Sequence, residues 1–221
     1  MEDRQPNDAP LVFRASDPDR RDFLKGSSAA LVAVGLPASA TRDASTPEAP
    51  SAPQAPEAPS TFLRFTLNGA PYDLRVEDRW TLAELLRDHL MGFQGTKVGC
   101  ERGECGACTV LVDDAPVYSC STLAVWMEGR SVRTVDGLSP RGGPLSPLQQ
   151  AFVDHNAPQC GFCTSGQLMS ATALLERNPA PTADEVRRAL VGNLCRCANY
   201  NAIVEAVLAG AGAATQTGGG E

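Results

Sequence analysis

From residue 61 the chain alternates apolar and polar side chains. Leu63, Phe65 and Leu67 share one face up to Asn68-Gly69, and Tyr72, Leu74 and Val76 continue with the same period of two. Asn-Gly between two alternating runs marks a β-hairpin, because both residues tolerate the positive φ angles of a tight turn. The period then lengthens. Thr81 and Glu84 are spaced as a capping box, Leu82, Leu85, Leu86 and Leu90 recur at helical spacing, and Gly92 stands where a helix would end. Residues 109–112, a turn at Asp113-Asp114, and residues 131–135 predict further strands. From Ser146 onward the pattern is helical. Ser146 with Pro147 and Gln149 opens one helix, 164–176 forms a second, Thr182 with Glu185 caps a third, and 201–209 forms a fourth. Sheet plus one helix, followed by helices alone, predicts an α+β protein of two small domains, 61–138 and 144–210, the second a small four-helix bundle.

The flanks carry a different pattern. Asp19-Arg20-Arg21-Asp22-Phe23-Leu24-Lys25 precedes a weakly apolar run, 26–36, and then Ala38-Ser39-Ala40. Basic region, apolar region and A-x-A site, in that order, read as a secretory leader over 1–40, and the arginine pair makes it a twin-arginine signal. The apolar run is too short to span a bilayer as a membrane anchor. Residues 41–60 place proline at 47, 50, 53, 56 and 59, the three-residue period of polyproline II, so this stretch is a stiff spacer rather than a ligand for a proline-binding domain. The Gly/Ala-rich tail, 211–221, is expected to be disordered. The net charge of -7 argues against a nucleic-acid surface. Each domain is so small that a hydrophobic core alone is marginal, and a staple is expected.

Cysteine supplies that staple. All eight fall into two quartets, Cys100, Cys105, Cys108, Cys120 and Cys160, Cys163, Cys195, Cys197. The first reads C-x4-C-x2-C plus a distant fourth, the plant-type [2Fe-2S] spacing; the second pairs C-x2-C with C-x-C. Glycine recurs beside the first quartet at Gly99, Gly103 and Gly106, as a loop needs if its N–H groups are to reach sulfur. Structural zinc usually takes two C-x2-C pairs, which neither quartet has. Disulfides suit an exported chain, but such close-set cysteines are poorly spaced to join distant segments. Two clusters, and one-electron transfer, are the expectation. His89 and His155 fall near helix C-termini and read as structural, and no catalytic triad or carboxylate pair stands out.

The loop 95–110 together with Gln159-Cys160-Gly161-Phe162-Cys163-Thr164-Ser165-Gly166 and Gly192-Asn193-Leu194-Cys195-Arg196-Cys197 resembles the [2Fe-2S] subunit of the xanthine oxidase family of molybdenum hydroxylases. The likeness covers about 61–209, and the leader makes the exported aldehyde oxidoreductases the nearest type. It implies a β-grasp ferredoxin domain ahead of the helical one. It implies a large molybdopterin-binding subunit and an FAD-binding subunit as partners, with no membrane anchor, and the periplasm as destination after passage through the twin-arginine export machinery. Gln159 matches the position that contacts the molybdopterin, and the second quartet lies nearer that centre. Substrate chemistry falls on the partner chain, so no residue here is assigned a catalytic role. Where the family usually has Thr-Gly-Tyr after the last cysteine, this chain has Ala198-Asn199-Tyr200, and Asn199 is expected to take the left-handed turn position. A free-standing ferredoxin-like carrier, or the same subunit of an N-heterocycle or purine hydroxylase, is the rival reading.

Overall fold

The computed structural model describes residues 58–217. The leader expected at 1–40, nearly all of the spacer expected at 41–60, and residues 218–221 lie outside the described residues. Among the described residues no helix is long and apolar enough to cross a membrane.

The expected hairpin forms from β1 (Ser60–Leu67) and β2 (Ala70–Glu77), in antiparallel register from Ser60 opposite Glu77 to Leu67 opposite Ala70. Its turn is Asn68-Gly69, both at positive φ. Three more strands follow: β3 (Thr109–Val112), β4 (Ala115–Tyr118) and β5 (Ser131–Arg133). They complete a mixed sheet in the order β2-β1-β5-β3-β4, in which only the β1–β5 pair is parallel. Strand β4 escaped the sequence pattern because Pro116 interrupts it. The strand lies at the sheet edge, where a missing N–H costs no ladder bond. Strand β5 ends at Arg133, short of the expected 135. The amide of Asn68, from the hairpin tip, accepts the Thr134 N–H at 2.8 Å and donates to the Thr134 hydroxyl at 3.0 Å, turning the chain aside.

One face of the sheet packs against a short helix α1 (Leu82–Glu84), begun by Thr81 Oγ1 accepting the Glu84 N–H at 3.1 Å. It does not continue as an α-helix to Leu90. Leu85–His89 is a π-helical turn, closed by the Leu90 N–H on the Leu85 carbonyl. The wide turn keeps Leu85 and Leu86 fully buried while His89 stacks on Trp80 with ring centroids 3.5 Å apart, a structural role as expected. These leucines join Leu63, Phe65, Leu67, Val76, Val110, Val112 and Val132 in the first core.

Four helices follow: α2 (Pro147–Asp154), α3 (Thr164–Arg177), α4 (Ala183–Ala189) and α5 (Tyr200–Thr217). Both predicted starts are complete capping boxes, Ser146 with Gln149 and Thr182 with Glu185. His155 is the C-cap of α2. Phe152, Leu168, Val186, Ile203 and Val207 form a second core. Helix α5 overruns its expected end, so the tail is not disordered from 211 as expected. Gly210 lets α5 approach α2 so closely that a Cβ there would lie 3.0 Å from Leu148 Cδ1, and Ala211 is buried beyond it. Read alone, that glycine looks like a stop; in place it is a contact.

The two halves meet through β3 and α3, where Leu111, Met169 and Ala173 share a small apolar cluster. At its margin Arg133 makes two bonds to Glu176, of 2.7 and 2.6 Å, and one of 2.8 Å to Asp114. The guanidinium holds the Glu176 carboxyl below the usual carboxylate range. Both groups are partly exposed, so the pair contributes on the order of 1 kcal/mol or less.

The turn after Cys197 differs from expectation. The left-handed residue is Ala198, at φ 59°, and not Asn199. Alanine there suffers the Cβ–carbonyl crowding that glycine avoids. Ala198→Gly is therefore expected to stabilise the cluster-loaded protein by about 1 kcal/mol, seen as a raised urea midpoint with unchanged slope.

Candidate functional site

The loop between the π-helical turn and β3 has no regular structure, and its curl is what makes it a sulfur site. Glu101, Gly103 and Gly106 sit at positive φ. They turn the N–H groups of Arg102, Glu104 and Cys105 toward the Cys100 sulfur, with Glu104 N 3.4 Å from Sγ. Those donors, Arg102 foremost, bring the Cys100 thiol down to about 6. Cys105 lies beside it. Cys108, leading into β3, lies beside Cys120 from the 3-10 turn Ser119–Ser121, and burial pushes the Cys108 thiol up to about 11.

The second quartet is built from helix ends. Cys163 is the N-cap of α3, with Gly161 at φ 79° ahead of it, and Cys195 and Cys197 lie in the turn before α5. Cys163 pairs with buried Cys195, and burial pushes its thiol up to about 12. Exposed Cys160 pairs with Cys197; the Phe162 N–H, then the Cys197 thiol, hold Cys160 below the ordinary thiol range. Gln159, just before it, is exposed.

All eight cysteines are free thiols, and they are arranged two by two. Two thiolates per iron, four per cluster, is the ligand set of a [2Fe-2S] centre. The local chemistry fits in two ways. Backbone donors aimed at Cys100 and Cys160 favour anionic sulfur, whereas Cys108 and Cys163 are too buried to ionise unless bound cations balance them, as iron does. The residues present therefore suit one cluster at each quartet.

The two quartets are locked together by a joint that spacing alone did not reveal. Asn193, buried, donates through Nδ2 to the Gly106 carbonyl at 2.9 Å and to Thr109 Oγ1 at 3.2 Å. Its Oδ1 accepts the Ser170 hydroxyl at 2.7 Å, and its own carbonyl accepts Gln167 Nε2 at 3.0 Å. The next residue, Leu194, donates its N–H to the Cys105 carbonyl at 2.9 Å. Gly106, Gly166 and Gly192 let these segments touch backbone to backbone: a Cβ on Gly166 would overlap the Gly106 carbonyl, and one on Gly106 would overlap the Gly192 carbonyl. Gly106, expected to serve the sulfur loop, also serves the joint. The available signal was Gly166 in the first turn of an otherwise apolar-faced helix. Across the joint, Cys100, Cys105, Cys160, Cys163 and Cys195 line one open cleft of about 370 Å³ with Phe162, Leu194 and Tyr200.

Comparison with known proteins agrees with this geometry. The family described as "2Fe-2S iron-sulfur cluster binding domain" matches residues 65–133, and the "[2Fe-2S] binding domain" family matches 134–208. The chain is 58% identical over 142 residues to the nicotine 6-hydroxylase small subunit of Paenarthrobacter nicotinovorans, covering 64% of this chain and 84% of that one. It is 40% identical over 211 residues to the aldehyde oxidoreductase iron-sulfur-binding subunit of Escherichia coli (strain K12), covering 87% and 88%. Among solved structures, quinoline 2-oxidoreductase from Pseudomonas putida 86 superposes with a TM-score of 0.68 at 49% identity, over 72% of this chain and 98% of the matched one.

The chain thus belongs to the iron-sulfur subunits that carry two [2Fe-2S] clusters. Within that class, it is a member of the xanthine oxidase family of molybdenum hydroxylases, in which its relatives are small iron-sulfur subunits of multi-subunit oxidoreductases.

Asn193 is the residue whose loss should be felt most widely. Asn193→Ala leaves the buried Ser170 hydroxyl without its acceptor and removes one of the three donors to the Gly106 carbonyl, at a cost of about 1–3 kcal/mol. Urea unfolding of the cluster-loaded chain checks it; a cost below about 0.5 kcal/mol would mean the joint is not held by this amide.

Proposed function

We propose that the chain is the electron-transfer subunit of an exported aldehyde oxidoreductase-type molybdenum hydroxylase. In this reading a β-grasp ferredoxin domain and a small four-helix-bundle domain each hold one cluster, and the bound clusters supply one-electron redox chemistry. Electrons from a molybdopterin centre on the large subunit reach the Cys160, Cys163, Cys195, Cys197 site first, then the Cys100, Cys105, Cys108, Cys120 site, and leave to an FAD-binding subunit. Gln159 is the candidate molybdopterin contact.

The observation that carries the reading is the direct hydrogen bond from Leu194, beside Cys195, to the carbonyl of Cys105. It joins the ligand segments of the two quartets without an intervening side chain. Exposed Cys160 and Gln159 offer the second site's outer edge to a partner, as entry from the large subunit requires. Support for the aldehyde type is the extent of the likeness. It spans 87% of this chain, more than everything from residue 58 onward comprises, so it runs into the leader region. Support for export is the pattern Arg20-Arg21, apolar run and Ala38-Ser39-Ala40, which fits a twin-arginine signal and a periplasmic destination.

A second reading has its own support: the higher identity, 58%, is to a subunit of a nicotine hydroxylase, so an N-heterocycle is the alternative substrate class. Identifying the copurifying large chain and assaying it with aldehydes and N-heterocycles decides between them.

Purified intact, the chain is expected to contain four iron and four acid-labile sulfide per polypeptide. Stoichiometric zinc without sulfide would end the electron-transfer reading. In the assembled enzyme, Cys105→Ser should leave substrate able to reduce the second cluster while turnover collapses, and Cys163→Ser should stop substrate electrons before either cluster. Rapid-freeze EPR separates the two. A first-cluster signal appearing at the wild-type rate in the Cys163 variant would reverse the proposed order.

Export has its own test. Arg20→Lys with Arg21→Lys should hold the loaded subunit and its partners in the cytoplasm, and cell fractionation with an activity assay reports it. Undiminished periplasmic activity would refute the leader assignment.

A further inference from the structure

Ala198-Asn199, where the chain departs from the expected turn, leaves one side chain without a role in what precedes. Asn199 is half-buried, and its Nδ2 donates to two carbonyls at once, Asn156 O and Ala157 O, each at 2.9 Å. Those carbonyls belong to the end of α2. Asn156 is there at φ 50°, its N–H on the Val153 carbonyl and the Ala157 N–H on the Phe152 carbonyl, the paired bonds of a helix stop. The Asn199 carbonyl meanwhile accepts the Ile203 N–H, at the start of α5. One residue thus ties the end of α2 to the beginning of α5.

Position in the chain gives this tie its meaning. Cys160 lies three residues beyond Ala157, and Cys197 lies two residues before Asn199. These two form the exposed pair of the second quartet, and they come from separate segments. The amide bridges those segments. A shape-matched carboxylate cannot replace it, because both carbonyls require donors.

We propose that Asn199 is a positioning residue for the second cluster. By strapping the Asn156-Ala157 carbonyls, it fixes how the Cys160 segment sits against the Cys197 turn, and with it the aim of Gln159 and of the Phe162 N–H at the Cys160 sulfur. Hydrogen bonds to sulfur and solvent access set the reduction potential of such a centre, so the strap tunes the second cluster without touching it. The first cluster, held by a loop that Asn199 does not contact, is an internal control in the same molecule.

This inference rests on the two-cluster reading, and iron and sulfide counts on the wild-type full chain establish that separately. The test is an EPR-monitored redox titration of the cluster-loaded full chain as wild type, Asn199→Gly and Asn199→Asp. The expected result is a shifted midpoint potential and a broadened signal for the second cluster alone, larger for Asp, which faces two carbonyls with a carboxylate. Hydrogen exchange across residues 157–162 should rise in both variants. Loss of the second cluster with the first retained would support the same conclusion. If both midpoints stay at wild-type values, or both clusters shift together, Asn199 is an ordinary stabilising contact and the proposal is wrong. Asn199→Gly keeps the test decisive should the Asp variant fail to fold, since glycine suits any backbone conformation at this turn.

Discussion

The buried polar joint between the two halves is the contact of three glycines, Gly106, Gly166 and Gly192, with the amide of Asn193 at its centre; the Arg133–Glu176 pair is a partly exposed tie at the margin. Apolar packing between β3 and α3 brings the halves together, but Leu111, Met169 and Ala173 are non-directional and tolerate sliding. The amide does not. Its two nitrogen bonds end on the first sulfur loop and strand β3, and its oxygen bond ends on α3, so a shift of either half breaks several bonds at once. In the interior a broken bond to the Ser170 hydroxyl, or to the amide itself, leaves a desolvated polar atom, which turns a loose apolar contact into a unique register. Glycine at 106 and 166 allows the backbones to approach closely enough for the amide to reach, and glycine at 192 makes room for the Tyr118 hydroxyl.

The sulfur sites impose the opposite problem, since thiolates are unfavourable where Cys108 and Cys163 are buried. Each quartet answers it with a gradient. An exposed or half-exposed pair carries the backbone donors, and an inner pair relies on burial and on the cations it binds. Metal binding and folding are then one process: the inner thiols ionise when iron is bound, and iron bound there draws together segments as distant as Cys108 and Cys120. Such coupling suits halves whose apolar cores are small, because the free energy of cluster binding adds to a marginal fold.

Periodicity and caps made most of the fold legible. The Asn68-Gly69 hairpin, the capping boxes at Ser146 and Thr182, and the residues 82–86 that bury leucine are local signals, and local signals survive in a sequence. The misses are those in which a partner elsewhere decided the outcome. Strand β4, which carries Pro116, was not predicted and is tolerated because it lies at the sheet edge. Helix α5 runs past its expected end where Gly210 packs against α2, and Leu85–His89 widens to a π-turn where it meets the core and Trp80. The cysteine quartets were readable because their spacing is itself the signal. Asn193 was not, because a buried amide with three partners looks in sequence like any loop asparagine.

That difference bears on where electron transfer is controlled. A one-electron centre changes charge without making or breaking a bond in the protein, so its surroundings must already suit both charge states. Mobile side chains would reorganise at every step; backbone N–H groups fixed by loops reorganise little. Both quartets here draw donors from backbone, Arg102, Glu104 and Cys105 for one and Phe162 for the other, with the Ser119 and Ser121 hydroxyls beside the inner pair of the first. The side chains that matter are a shell removed, in amides such as Asn193 and Asn199 that hold those loops still. Substitutions among the exposed charges should therefore leave the relay largely unaffected, whereas a single buried or half-buried amide governs the sulfur environment, although none of its atoms bonds to sulfur.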